Sequence, residues 1–379
     1  MEHILLSASL AFLITFFAIP IVIQVAKDKK LFDEPDERKV HKTVIPTLGG
    51  LGIFAGFIIA TLMGVPSGIT SELQYFAAAT TVIFFLGLKD DILVLSASKK
   101  FIGQLVAAGI VIKFGGVLLN NMHGFLGIYE IPRVASIVLT IFTIIVITNS
   151  FNLIDGVDGL AGSLGVLTTL VFGIYFFFAG QLTYAVMALS LAGSTIAFLI
   201  YNFSPAKIFM GDTGSLLLGL VNSILVIKFI NVAGNFAEGT TKFALESSPA
   251  IGFAILMIPL FDTLRVFALR ILDRRSPFSP DRTHVHHFLL DIGFNHRMIT
   301  FTCVGVNILF IAAAYFLRFL GPTTVIGILL VSAFAFIGII YYNRPKNKSV
   351  VNKQNAIPNT NIIKPRKILT LAPESVEAD

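Results

Sequence analysis

Residues 134–178 read VASIVLTIFTIIVITNSFNLIDGVDGLAGSLGVLTTLVFGIYFFF, two apolar runs joined by Asn149-Ser150-Phe151-Asn152-Leu153-Ile154-Asp155-Gly156-Val157-Asp158-Gly159. A helix rises about 1.5 Å per residue, so a run of ~20 apolar residues matches the hydrocarbon core of a bilayer. The polar joint then falls at a membrane surface. The same unit recurs along the chain. Hydrophobic residues make up 55% of the 379 and charged residues only 13%, and the mean hydropathy is +0.84. A soluble domain carries about 25% charge, and no soluble core could hide this much apolar surface. The runs are continuous rather than alternating, which argues against a transmembrane β-barrel.

Window length predicts an all-α, polytopic integral membrane protein of about eleven transmembrane helices. The expected spans are 4–26, 48–65, 73–89, 101–119, 134–151, 160–178, 182–201, 214–231, 250–272, 299–319 and 323–342. One face then receives 22 of the chain's 28 Lys and Arg residues, and basic loops stay on the cytoplasmic side. That places the N-terminus outside and the C-terminus in the cytoplasm. The same rule accounts for the net charge of +6 without a nucleic-acid partner. Met1-Glu2-His3 offers no basic leader, so the first run reads as a retained helix rather than a signal peptide. A polytopic body over 1–342 and a polar, basic cytoplasmic tail over 343–379 are expected. The single cysteine, Cys303, lies in an apolar run and reads as a small hydrophobe.

Four polar motifs fall in loops on that one face. Asp90-Asp91 ends an apolar run, with Lys99-Lys100 two to three turns on. A carboxylate pair there faces water, a cation or a metal, and a solvated helix end accounts for it equally well. Asn149, Asn152 and Asp155 are spaced three apart, close to one stripe of a helix. Their hard oxygens suit Mg²⁺, while Gly156 and Gly159 permit a sharp turn beside a ligand. Gly211-Asp212-Thr213-Gly214-Ser215 precedes an apolar helix; helix capping explains its residue types, but not its company. Pro280-Asp281-Arg282-Thr283-His284-Val285-His286-His287 offers donors for phosphate oxygens, with zinc ligation by the histidines as the alternative. Asp262 and Arg265 form an intramembrane pair that serves either function or mutual neutralisation.

These residues in this order resemble the polytopic polyprenyl-phosphate N-acetylhexosamine-1-phosphate transferases of the glycosyltransferase family 4 type. That family includes bacterial undecaprenyl-phosphate N-acetylglucosamine-1-phosphate transferase, phospho-N-acetylmuramoyl-pentapeptide transferase and the eukaryotic dolichyl-phosphate enzyme. The likeness runs from Arg38-Lys39-Val40-His41 through Gly49-Gly50 to His287. Val285 interrupts the three adjacent histidines usual in the muramoyl-pentapeptide branch, so the N-acetylglucosamine branch is the nearer one.

The resemblance implies transfer of an N-acetylhexosamine 1-phosphate, with N-acetylglucosamine the expected sugar, from a UDP-sugar to undecaprenyl phosphate. UMP is released, in a first membrane step of a cell-envelope glycan pathway. It assigns Asp90 and Asp91 to the lipid phosphate, and puts Asp155 and Asp158 with them as catalytic. Asp212, helped by Asn152, is expected to hold Mg²⁺, with Mn²⁺ as the alternative ion. Lys100, Asn149, Arg282, His284, His286 and His287 are expected to bind substrate. A homodimer is compatible with the family. Two other classes compete. A transporter would gather its polar groups at the midplane rather than in loops, and another metal-dependent polyprenyl-using transferase would leave the histidine loop without a purpose.

Overall fold

The computed structural model describes residues 2–29, 32–33, 45–66, 72–235, 243–275 and 284–344. Thirteen helices are present among them: α1 Glu2–Asp28, α2 Gly49–Gly64, α3 Leu73–Ile92, α4 Ala97–Lys113, α5 Arg133–Ile154, α6 Leu160–Phe178, α7 Leu182–Asn202, α8 Gly211–Ala233, α9 Ser248–Ile255, α10 Met257–Leu272, α11 Val285–Ile292, α12 His296–Phe316 and α13 Pro322–Tyr342. Every expected span has a helical counterpart. Seven of these helices (α1, α5, α6, α7, α8, α12 and α13) are long and apolar enough to cross a bilayer, and α9 with α10 makes an eighth if the bent pair is one span. The chain is thus a multi-pass, mainly helical membrane protein. The compact unit is Met1–Asn343; the expected tail lies outside the described residues apart from Asn343 and Arg344.

Two small hairpins depart from the all-α expectation. Phe32–Asp33 (β1) pairs antiparallel with Ile45–Pro46 (β2), and Asn121–Phe125 (β3) with Ile128–Glu130 (β4). Both occupy segments too short and too polar to span a membrane.

The expected ninth span is not continuous. α9 and α10 meet at 85°. Pro259 stands in the first turn of α10, where a missing N–H is tolerated. A bend within apolar surroundings still exposes backbone groups that need partners. The fully buried Asn307 of α12 supplies both: its Oδ1 accepts from Ile258 N–H at 3.0 Å, and its Nδ2 donates to the Ile255 carbonyl at 2.9 Å. A single polar residue in an apolar helix therefore stabilises the bend.

α8 is the axis of the bundle. It lies against α2, α3, α5, α6 and α9, and nearly its whole length is buried. Neighbouring helices approach it through glycine. A Cβ at Gly50 of α2 would stand 2.2 Å from the Gly214 nitrogen, one at Gly87 of α3 would be 2.5 Å from the Thr213 Cα, and one at Gly219 of α8 would be 2.5 Å from the Thr148 Cα of α5. α1 and α13 lie outermost, with Phe17, Ile21, Val331 and Phe334 exposed as lipid-facing surface would be.

Gly50→Val should lower the thermal midpoint in detergent by several degrees, because overpacking costs about 1–3 kcal/mol or more. Gly109→Ala in α4, where a Cβ meets nothing within 4 Å, should be neutral or slightly stabilising. Equal destabilisation by both would refute the close approach at α2 and α8.

Candidate active site

The start of α8 is the centre of the polar cluster. A helix N-terminus presents backbone N–H groups without intrahelical partners, and here they meet a carboxylate from another helix. Asp91, at the end of α3, accepts from Asp212 N–H at 2.7 Å, from Thr213 N–H at 3.0 Å and from the Thr213 hydroxyl at 2.5 Å. Gly211 has φ +72, and a Cβ there would stand 2.7 Å from that carboxylate. Behind the turn, Gly49 and Gly50 donate to the carbonyls of Phe209 and Met210, both at 2.9 Å.

Asp212 is thereby held facing α4 and α5. Lys100 bridges Asp90 and Asp212, donating to Asp212 Oδ2 at 2.6 Å. Asn152 Nδ2 donates to Asp212 Oδ1 at 2.8 Å and to Ser215 Oγ at 3.0 Å. Asn149, one turn earlier on α5, donates to Gln104 Oε1 of α4 at 2.8 Å. The expected residues Asp90, Asp91, Lys100, Asn152 and Asp212 thus meet in one network, and Asn149 pairs with Gln104 one turn away from it.

The charges respond to this crowding. Burial and the Asp212 carboxylate hold Asp90 above its ordinary value. Burial opposes charging of Lys100, yet Asp212 and Asp90 raise it above its usual value. Asp155, at the end of α5, is pushed well up by burial and by the charges of Asp212, Asp91 and Asp158. Three carboxylates acting on a fourth make a place where added positive charge is favourable.

A divalent cation fits this donor set in one manner only. Among the described residues no three His, Cys, Asp or Glu side chains converge as metal ligands, so there is no all-protein cage. Mg²⁺ is commonly held by one or two carboxylates together with waters and substrate phosphates. Asp212 and Asp155, close enough for the charge of one to act on the other, are carboxylates of that kind, while Asn152 turns its Nδ2 toward Asp212.

Asp158 serves as a tie. Its Oδ2 accepts from Ala206 N–H at 3.2 Å and lies 3.3 Å from His296 Nδ1, joining the α5–α6 loop to α12 and to the segment after α7. The histidine loop is anchored by Asp262. That carboxylate lies 2.9 Å from His284 Nδ1, accepts from Val285 N–H at 3.0 Å and pairs with Arg265 at 2.8 Å. The Asp262–Arg265 pair is thus mutually neutralised, and its carboxylate also holds the start of α11. His286 is buried against the α5–α6 loop, with its Nε2 3.0 Å from where a Gly156 Cβ would be. Burial and His287 push its imidazole down to about 3, so it is neutral. Arg282 and the Asp36–His41 segment lie outside the described residues.

Gln104 and His296 join these networks although no sequence motif contains them, and Ser215 of the α8 motif adds its hydroxyl as a partner of Asn152. Gln104 is four residues beyond Lys100, hence on the same helical face, and that spacing was the available signal.

The family model described as glycosyl transferase family 4 matches residues 73–230, the stretch from α3 to α8 that carries the carboxylate cluster. A Bacillus subtilis protein described as a probable undecaprenyl-phosphate N-acetylglucosaminyl 1-phosphate transferase is 35% identical over 326 residues, 84% of this chain and 86% of its own length. The chain belongs to this family. A Mycobacterium tuberculosis decaprenyl-phosphate N-acetylglucosaminephosphotransferase is 33% identical over 320 residues, 78% of each chain. An Escherichia coli K12 undecaprenyl-phosphate alpha-N-acetylglucosaminyl 1-phosphate transferase is 28% identical over 291 residues, 76% of each. All three matches are long enough to extend beyond the region of the family model.

Asp91→Ala should destabilise the protein by about 1–2 kcal/mol through loss of the cap, with Asp91→Asn milder, as read by thermal unfolding. Asp262→Ala should cost more, about 3–5 kcal/mol, because it removes a buried carboxylate that meets Arg265, His284 and the Val285 N–H together. The Asp262→Ala arm is refuted if that variant melts with the wild type.

Proposed function

We propose that this protein transfers N-acetylglucosamine 1-phosphate from UDP-N-acetylglucosamine to undecaprenyl phosphate, releasing UMP. The observation that carries the reading is the cluster in which Lys100 bridges Asp90 and Asp212 while Asn152 donates to Asp212, within the region shared with the family. The relatives' names supply the lipid phosphate and the sugar. The asymmetry of Lys and Arg supports an N-terminus outside and a catalytic face in the cytoplasm, where the nucleotide sugar resides.

The reaction asks for an oxygen of the lipid phosphate to bond to the sugar-bearing phosphorus as the bond to the UMP oxygen breaks. Positioning and charge stabilisation provide most of the catalysis in such displacements. Asp212, Asp155 and Asn152 would hold Mg²⁺, which when bound neutralises the diphosphate and the departing UMP. Lys100 adds a cation at the same place and keeps Asp90 and Asp212 together. Asp90, held above its ordinary value, is suited to accept the last proton of the lipid phosphate; that proton leaves near pH 6 in comparable phosphomonoesters, so the demand is modest. Asp91 positions Asp212 through the α8 backbone. The histidine loop and Arg282 would bind the nucleotide phosphates.

Purified protein in detergent, given undecaprenyl phosphate, Mg²⁺ and radiolabelled UDP-N-acetylglucosamine, should yield lipid-extractable label and stoichiometric UMP, both lost with EDTA. Asp212→Ala should abolish turnover and metal-dependent nucleotide binding. Asp90→Ala should lose turnover while retaining part of that binding. Equal loss of metal-dependent binding in both variants would sink this division of labour, and no transfer from any UDP-aminosugar would sink the transferase reading.

A further inference from the structure

A second polar site lies away from the catalytic cluster, near the far end of α8. Lys228 is sixteen residues beyond Asp212 on that helix, a rise of about 24 Å. There the end of α8, the start of α7 and the segment following α4 enclose a cavity of ≈ 290 Å³, lined by Asn120, Tyr184, Lys228, Asn231 and Asn235 among others. The Lys228 ammonium sits 4.7 Å from the centre of the Tyr184 ring, and among the described residues no carboxylate pairs with it. The Tyr184 hydroxyl itself donates to Glu72 at 2.6 Å. Asn231 is fixed by donation from Nδ2 to the Leu118 carbonyl at 2.6 Å. That bond leaves its Oδ1 buried without a partner.

A cation carried on an apolar span is costly unless water or an anion meets it. The level in the bilayer is marked by aromatic rings. Tyr75 stacks on Phe114 at 5.6 Å, and Phe114 and Tyr129 are exposed, as expected where helices meet the headgroup layer. We propose that this cavity binds a phosphate-bearing headgroup with hydroxyl donors, such as that of an anionic phosphoglycerol lipid. Lys228 meets the phosphate, and the amides of Asn120, Asn231 and Asn235 that line the cavity meet the headgroup hydroxyls. The site is independent of the sugar-phosphate transfer.

The test is native mass spectrometry of the full-length protein in detergent, with equimolar phosphatidylglycerol and phosphatidylcholine of matched acyl chains. Wild type should retain phosphatidylglycerol with about tenfold preference, the size of one good charged contact. Lys228→Met should fall to near parity, and Lys228→Arg should keep the preference. Asn231→Leu should weaken retention of phosphatidylglycerol more than that of phosphatidic acid, which lacks headgroup hydroxyls. Displacement by millimolar inorganic phosphate would support the phosphate site while naming a soluble source; resistance to it would name the lipid. Parity in wild type, or an unchanged preference in Lys228→Met, overturns the proposal. If Lys228→Met does not fold, the wild-type preference and the conservative Lys228→Gln decide it.

Discussion

The carboxylate of Asp91 on the first turn of α8 is the contact on which the polar end of this molecule depends. α8 is the most enclosed helix of the bundle, and its N-terminus begins among other helices rather than in open solvent. Backbone donors buried without partners cost about 1–3 kcal/mol each, and the helix dipole adds a preference for negative charge. Asp91 answers both, from a different helix. Because it binds the backbone of Asp212 and Thr213, it also fixes the direction in which the Asp212 side chain leaves the turn. One interaction thus closes α3 on α8 and aims the carboxylate at the centre of the cluster.

Around that point the protein accumulates like charge and then manages it. Four aspartates in one region would repel one another, and the structure meets this with Lys100 and with an amide donor from Asn152, while burial and the neighbouring charges hold the Asp90 and Asp155 carboxyls above their ordinary range. Such an arrangement is tense without a bound cation or a substrate-borne counter-ion, and receptive to both. The histidine loop is assembled on a different principle. It hangs from Asp262, a carboxylate within an apolar helix, whose cost is met by Arg265 and by the His284 ring. The bend between α9 and α10, stabilised by Asn307, sits just ahead of that aspartate. Two buried polar residues therefore connect the membrane-embedded part of the bundle to the loop expected to bind nucleotide.

The four polar motifs were legible in the sequence because charge inside a chain this apolar has few innocent explanations. Asp90, Asp212 and Asn152 do lie together, as their shared face of the membrane predicts. Asp91 and Asp158 were harder to read. A carboxylate that caps a backbone and one that faces a substrate are the same residue type at the same kind of boundary. Asp262 was ambiguous for a related reason: its i,i+3 neighbour Arg265 explains it locally, and the His284 contact comes from 22 residues away. Gln104, Ser215 and His296 are ordinary polar residues until their partners are placed.

The sequence by itself determined the solvent the chain folds in, the helices that follow from it, and the set of residues able to do phosphate chemistry. Those properties follow from hydropathy and spacing, which are local and additive along the chain. The tertiary structure alone decided which aspartate holds a helix and which faces the cluster, where the ninth span bends, and that Lys228 shares a cavity with Asn231. Each of those depends on a partner far away in sequence, and a hydrogen bond is specified by two atoms at a distance of 3 Å, not by either residue alone.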